Sequence, residues 1–478
     1  MSLNSASRRV HPVDQALPTH KLVVFGLQHL FIMYAGAVAV PLIVGPAIGL
    51  NSHDIAVLVS ADLLVSGIAT IIQSAGISKL FGVRLPVVAG ATFTVLNPMI
   101  IIASQYGGRA GLPYVYGAML VSGFFGLLIA KPFSRVIRFF PPLVSGTVIC
   151  IIGLSLGGAD ISLIYGDAHN GDKYVGSVGR IALAGLVILA ILVITRSFRG
   201  FVSQIAVLLS LVIGTVVAAA MHLVDFGNVK DAAWFGAPHI FHFGAPKFSV
   251  AAIITMCIVM VVTYTESTAD MLAVSELTGK DVTPDDLARG LATDGLSAVL
   301  ASFTNSFPDT AFAENVGLVG LTKVRSRWVV TVCGALLLAL GLIPKVGQIV
   351  ADLPGPVIGG GATVMFAMVT AVGIQTLHKV NFEGNNNLLI VAASLAVGLL
   401  PAFDPTFYDK FPKDFQVIFG SSITATVIVV FVLNLVFNHW TTGRTRTGAV
   451  QAALSEGAVA VDVPHGGAPT RLHQTVAD

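Results

Sequence analysis

Four carboxylates stand where the surrounding sequence is apolar. Glu266 and Asp270 are four residues apart in Val261-Val262-Thr263-Tyr264-Thr265-Glu266-Ser267-Thr268-Ala269-Asp270, so a helix projects both from one face. Asp294 lies inside the apolar run 287–301, and Glu314 opens the helical part of a later one. On the membrane-insertion scale a central Asp costs about 2.5–3.5 kcal/mol. Several left unpaired would cost an amount comparable to a whole protein's net stability of about 5–15 kcal/mol. They must face a polar cavity, find donors or carry protons, and a carboxyl shielded from water is suited to the last role. The plainer reading is an interhelical hydrogen-bond cluster, which has more force for Asp270, close to the end of its run. His29, in the first apolar run, is either a relay or a packed polar residue.

Other chemistries find little support. Cys150, Cys257 and Cys333 all lie in apolar stretches without metal-ligand spacing, and an odd count makes a poor disulfide framework. Gly153-Leu154-Ser155-Leu156-Gly157 fits the pattern of a hydrolase elbow. That elbow needs a strand–turn–helix context with acid and His partners, which an apolar span does not offer. No His-Glu-x-x-His metal motif occurs. The expectation is therefore no enzyme, no metal and no cofactor. A formal net charge of +2 also argues against nucleic acid as a partner, since a basic face would be needed.

The elements that must position these carboxylates are membrane spans. The chain has 478 residues, 55% of them apolar and only 11% charged, where soluble domains carry about 25%. Forty-nine glycines suit helices that approach closely in a bilayer. Runs of about 17–25 apolar residues cross a bilayer as helix. They occur near 22–44, 55–77, 114–130, 140–157, 179–195, 202–222, 249–265, 327–343, 356–375, 387–402 and 416–437, with 287–301 as a further run. Two more regions are long enough but broken: 86–103 contains Pro86, Gly90 and Pro98, and 302–322 contains Pro308, Gly317 and Gly320. Counting both as spans gives fourteen, with both ends on one side of the membrane. If that side is cytoplasmic, most of the 27 Lys and Arg residues fall there, as the positive-inside rule requires. Dropping either broken span reverses every loop after it. The polar segment 1–20, with Arg8 and Arg9 and no cleavage site after it, makes the first run a span and not a removable signal. The tail 441–478 is polar and rich in Gly, Ala and Thr, and reads as disordered and cytoplasmic.

An internal echo organises the spans. Phe140-Pro141-Pro142-Leu143-Val144-Ser145-Gly146 opens span 5, and Leu353-Pro354-Gly355-Pro356-Val357-Ile358-Gly359 opens span 12. The broken spans, 3 and 10, are also seven apart. Because seven is odd, the halves run in opposite directions, and interrupted segments at matching positions point to a secondary transporter with its site at the midplane. Irregular backbone at that depth must be buried or line a cavity. Ala91-Thr92-Phe93-Thr94 and Asp309-Thr310-Ala311-Phe312-Ala313 read as short extended stretches that face each other. A helix start at Glu314-Asn315 adds free N–H groups. Such a site suits a flat heterocycle: carboxylates accept its N–H groups, backbone amides donate to its carbonyls, and Phe93 stacks on a ring face.

Glu314-Asn315-Val316-Gly317-Leu318-Val319-Gly320-Leu321-Thr322-Lys323 resembles the signature of the nucleobase–ascorbate transporter family (nucleobase:cation symporter-2), which begins with Gln or Glu and Asn-x-Gly. Gln28-His29 and Glu266 also fall where that family has them, and the resemblance covers roughly 20–440. It implies an all-α polytopic fold of fourteen segments in two inverted seven-segment repeats, with short antiparallel strands in segments 3 and 10. A core domain (21–130 and 249–343) would move against a gate domain (131–248 and 344–440), usually within a homodimer. The resemblance implies that Glu266 and Glu314 hydrogen-bond the base and that Phe93 presents its backbone, with Ala313 and Gly36 also at the substrate. Asp294 would be needed for transport, with Glu266, Asp270 and His29 in proton coupling. Asn315 would tune the site, and Gly317 and Thr322 would shape the helix and its selectivity. On substrate the residues divide. Glu at the head of the signature is the uracil pattern, whereas Asp270 and the run Thr304-Asn305-Ser306-Phe307-Pro308 look like bacterial xanthine and urate permeases. The expectation is a proton-coupled importer of xanthine or urate in the plasma (inner) membrane. Uracil is second, and an anion carrier of related inverted-repeat fold is third.

Overall fold

The computed structural model describes residues 11–136, 141–166, 175–224, 226–237, 239–383 and 385–439. Residues 1–10 of the expected N-terminal segment, Phe140 of the internal echo and the expected disordered tail 441–478 lie outside them.

The first half of the chain contributes α1 (Thr19–Ala47), α2 (Ser52–Ala75), strand β1 (Ala89–Ala91), α3 (Leu96–Gln105), α4 (Leu112–Val136), α5 (Pro142–Ser155), α6 (Gly157–Tyr165), α7 (Val178–Ser197), α8 (Phe201–Gln204) and α9 (Ala206–Ala220). The second contributes α10 (Val250–Thr278), α11 (Pro284–Thr304), strand β2 (Asp309–Ala311), α12 (Ala313–Thr322), α13 (Arg327–Gly341), α14 (Pro344–Ala351), α15 (Gly355–Leu377), α16 (Asn387–Phe403), α17 (Lys413–Phe419) and α18 (Ser422–Asn434). Among the described residues eight helical stretches are long and apolar enough to cross a membrane. Helices α13 and α14 bend by 81° at Leu342–Ile343 and make a ninth if taken as one broken span. The chain is thus a mostly helical, multi-pass membrane protein.

Local chemistry sets the ends of these helices. Asn51 caps α2 by accepting from Asp54 N at 2.8 Å. Thr283 and Asp286 form a reciprocal capping box at the start of α11, with Pro284 in its first turn. Gly279, at φ +67°, ends α10 in the left-handed region that glycine enters without penalty. Pro141-Pro142 and Pro354-Gly355-Pro356 open α5 and α15, where a missing N–H costs nothing.

Packing within and between the two halves follows a pattern. Helix α4 lies along α11 and α2 along α13; α10 packs on α4 and α1 on α13; α7 packs on α9 and α16 on α18; α5 packs on α15 and β1 pairs with β2. Small residues allow the closest approaches. A Cβ on Gly67 would lie 2.5 Å from Leu338 N across the α2–α13 contact, and one on Gly123 would lie 2.9 Å from Val299 N across α4–α11. In a bilayer, where no hydrophobic force drives helices together, such backbone contact supplies the packing energy.

Candidate functional site

Two three-residue strands meet at the centre of the bundle. They pair antiparallel, Ala89 with Ala311, Gly90 with Thr310 and Ala91 with Asp309. Thr92 N to Pro308 O (3.0 Å) and Phe312 N to Val88 O (2.9 Å) extend the ladder. The extended stretch expected at Ala91–Thr94 begins earlier and ends sooner. Thr92 Oγ1 accepts from Thr94 N, a side-chain turn that competes with strand, so Phe93–Val95 winds into a 3-10 turn leading to α3. On the other strand, helix α12 begins at Ala313, directly after Phe312.

Helix α10 grips both strands with consecutive residues. Glu266 accepts from Thr94 Oγ1 at 2.8 Å and from Thr92 Oγ1 at 3.2 Å. Ser267 meets Thr310 Oγ1 at 3.0 Å and accepts from Ala311 N at 2.9 Å. Asp270, half-buried one turn further along, is close enough to Glu266 and Glu314 for direct repulsion. Ala313 and Glu314 are exposed in the first turn of α12, whose N–H groups have no partners within the helix. Among the described residues no cation forms an ion pair with Glu266, Asp270 or Glu314. A narrow cleft of about 20 Å³ reaches Glu266 between α5, α10 and α18, past Ser145, Val148, Thr265 and Phe431.

Three other expected residues support this centre. Asn315 donates to His29 O at 2.9 Å and meets His29 Nδ1 at 3.0 Å, both buried. The carbonyl acceptor identifies the Asn315 atom as the amide nitrogen. Its second hydrogen then goes to the Nδ1 lone pair and leaves the imidazole proton on Nε2. Gly36 admits the ring of Phe312: a Cβ there would lie 2.6 Å from Phe312 Cζ, and one on Gly90 would lie 2.9 Å from the same ring. Phe93 stands edge-on to Phe366 of α15, with centroids 5.5 Å apart at 88°.

Not every expected residue reaches the carboxylates. Asp294 is buried behind the strands, its Oδ1 held by Gln73 Nε2 at 2.9 Å. A Cβ on Gly317 would face Gln204 of α8 at 3.8 Å. Thr322 bonds back to Leu318 O at the far end of α12, about 13 Å from Ala313 at 1.5 Å per residue. Four buried carboxylates went unrecognised in the sequence: Asp54 and Asp62 on α2, Asp160 on α6 and the side chain of Asp309 on β2. Asp62 carries the same signal that selected Glu266, an acid inside an apolar run.

Ser155 of the elbow-like motif sits at the end of α5, buried and bonded to Ile152 O. Among the described residues no group of three or more His, Cys, Asp or Glu is arranged to hold a metal. The arrangement suits recognition: carboxylates for N–H donors, helix N–H groups for carbonyls, and aromatic rings for a flat face.

Residues 20–407 match the model of the Permease family, Xan_ur_permease. The chain is 41% identical over 426 residues to the nucleobase transporter PlUacP of Paenibacillus larvae, covering 89% of this chain and 96% of that one. It is 39% identical over 440 residues to the uric acid transporter UacT of Escherichia coli (92% and 90%). It is 40% identical over 418 residues to the xanthine permease of Bacillus subtilis (87% and 94%). In fold it is similar to the transmembrane domain of the cyanobacterial bicarbonate transporter BicA, with a TM-score of 0.59, 12% identity and coverage of 88% and 98%.

Proposed function

The chain belongs to the permease family of nucleobase:cation symporters, and on that footing we propose that it imports a purine base, xanthine or urate, together with protons. The observation that carries this is Glu266, fixed by Thr92 and Thr94 at the strand crossing and opposed by the open first turn of α12. A dioxopurine presents ring N–H groups beside carbonyls on one flat edge. Glu266 accepts from its N–H groups, Glu314 binds a second edge, and the amides at Phe93 and Ala313 donate to its carbonyls. Asp270 tunes the pair, and Asp294 and His29 support the moving body. The names of the relatives at 39% and 40% identity, a uric acid transporter and a xanthine permease, support a purine.

The transport cycle rests on a fourteen-span reading in two inverted repeats. Under a seven-span offset, α4 on α11 becomes α13 on α2, α10 on α4 becomes α1 on α13, and α7 on α9 becomes α16 on α18. The pairs α5–α15 and β1–β2 map onto themselves. The observed contacts obey each relation, which supports the repeat. Residues 21–130 with 249–343 form the core body carrying the site, and 131–248 with 344–440 the gate. The Phe93–Phe366 contact and the cleft beside Glu266 lie between them. The core moves against the gate in a homodimer in the plasma (inner) membrane, with cytoplasmic termini. Protonation of the carboxylates, binding of the base, core movement and release to the cytoplasm complete the cycle.

Uracil is the second reading, favoured by Glu at position 314. An anion carrier of related fold would want a positive site, and the carboxylates here oppose it. Uptake of radiolabelled xanthine in cells lacking their own nucleobase carriers, with urate, uracil, guanine and ascorbate as competitors, separates the readings. Urate should compete and uracil should not, and a protonophore should abolish accumulation. Glu266→Gln should reach the membrane and fail to accumulate base. Near-normal uptake by that variant, or uptake driven by a sodium gradient, would overturn the assignment.

A further inference from the structure

Behind the strand pair lies a second group of acids. Thr310 faces α10 through Ser267, so its strand neighbour Asp309 points to the opposite face. There Asp309 is fully buried; Oδ1 accepts from Ser66 Oγ of α2 at 2.9 Å, and Oδ2 has no partner. Asp62 precedes Ser66 by one helical turn and therefore shares its face. It is also fully buried; the Ser306 hydroxyl is at hand as a donor, but neither carboxylate oxygen has a partner at regular hydrogen-bond geometry. Ser297 of α11 accepts from Asp309 N at 3.1 Å. One turn earlier, Asp294 adds a third buried carboxyl, with Oδ2 unpartnered.

The groups acting on Asp62 are the carboxylate of Asp309, by charge repulsion, and the buried hydroxyl of Ser306, as a donor. Asp294 is the other acid acting on this group, from α11. No Lys, Arg or His of the described residues is paired with any of the three acids. Two adjacent carboxylates shielded from water cannot both remain charged, and one shared proton converts their repulsion into a short O–H···O⁻ hydrogen bond. The metal alternative lacks a ligand set among the described residues.

We propose that Asp62 and Asp309 form a second proton-holding site, an acid–carboxylate pair separated from Glu266 by the thickness of the strand pair. Asp62 donates its O–H to Asp309 Oδ2, Ser66 holds Asp309 Oδ1, and Asp294 caps the group from α11. Because Asp309 is part of β2, the charge of this pair bears on the strand whose partner, β1, leads directly into Thr92 and Thr94. The site is a property of the chain without substrate and does not depend on which base is carried.

The test is infrared spectroscopy of the purified full-length protein in lipid nanodiscs, with no base added, across a pH titration. The wild type should show a protonated-carboxyl C=O band that shifts in D₂O. Asp62→Asn and Asp309→Asn should each remove a component of that band. Ser66→Ala, which keeps both acids but deletes the donor to Asp309, should move the component in frequency without removing it. Spectra of both Asn variants that superimpose on wild type would overturn the proposal. So would displacement of the band by sodium at fixed pH, which would make the group a cation site. If the Asn variants fail to fold, an unmoved band in Ser66→Ala overturns it alone.

Discussion

The hydroxyl of Thr94 offers a direct measure of how much the site depends on a pre-set carboxylate. Its 2.8 Å bond is the shorter of the two that fix Glu266. Thr94→Val keeps the shape and deletes the donor, while Thr94→Ser keeps the donor and deletes a methyl group. A hydrogen bond to a charged group contributes about 1.5–3 kcal/mol. With a tenfold change for each 1.4 kcal/mol, Thr94→Val should weaken base binding by about 10- to 100-fold. Thr94→Ser should stay within about fourfold, since Thr94 is buried and one buried methyl group is worth about 0.8 kcal/mol. The assay is equilibrium binding of radiolabelled xanthine to purified protein, paired with uptake in carrier-deficient cells at matched expression. Equal binding by wild type and Thr94→Val would refute the view that these threonines orient Glu266. Equal losses in the Val and Ser variants would instead assign the effect to packing.

Two further outcomes test the surroundings of the site. Gly36→Ala would set a methyl 2.6 Å from Phe312 Cζ; overpacking of this kind costs about 1–3 kcal/mol, visible as a lower melting temperature and weaker base binding. Ahead of α1, Asp14 is bound by Arg327 Nε at 2.8 Å and Lys280 Nζ at 3.2 Å. Partial burial pushes this carboxyl up, but Lys280 and Arg327 outweigh it and hold it below its ordinary value. Its contribution is therefore full above about pH 4, the unfolded value, and is lost as pH falls through the lower folded value. Asp14→Asn should destabilise by about 1 kcal/mol or less at neutral pH, with the difference from wild type vanishing in acid.

Much of this was legible in the sequence, for identifiable reasons. Glu266 and Asp270 announced themselves because charge in an apolar run is costly, and their spacing fixed a common face. The breaks at Pro86–Pro98 and Pro308–Gly320 located the two regions where the chain forms strand. Asp62 was passed over because its run was read for length, although the cost argument applied to it equally. The facing of Asp309 was hidden, since strand register decides which side chains look toward α10 and which toward α2. The Asn315–His29 bond joins residues 286 apart, a proximity that spacing along one chain does not encode.

The strand crossing also bears on how the protein is made. Ala91 on β1 finds its partner only when Asp309 has been synthesised. At about 5–20 residues per second, that delay lasts on the order of 10–40 s. Throughout it the first half of the protein already holds an unsatisfied strip of backbone at membrane depth, where each bare amide costs several kcal/mol. Until its second half arrives, the N-terminal half must satisfy that strip with partners other than β2, water among them. Expression of residues 1–248 alone should leave that strip open and mark the fragment for degradation.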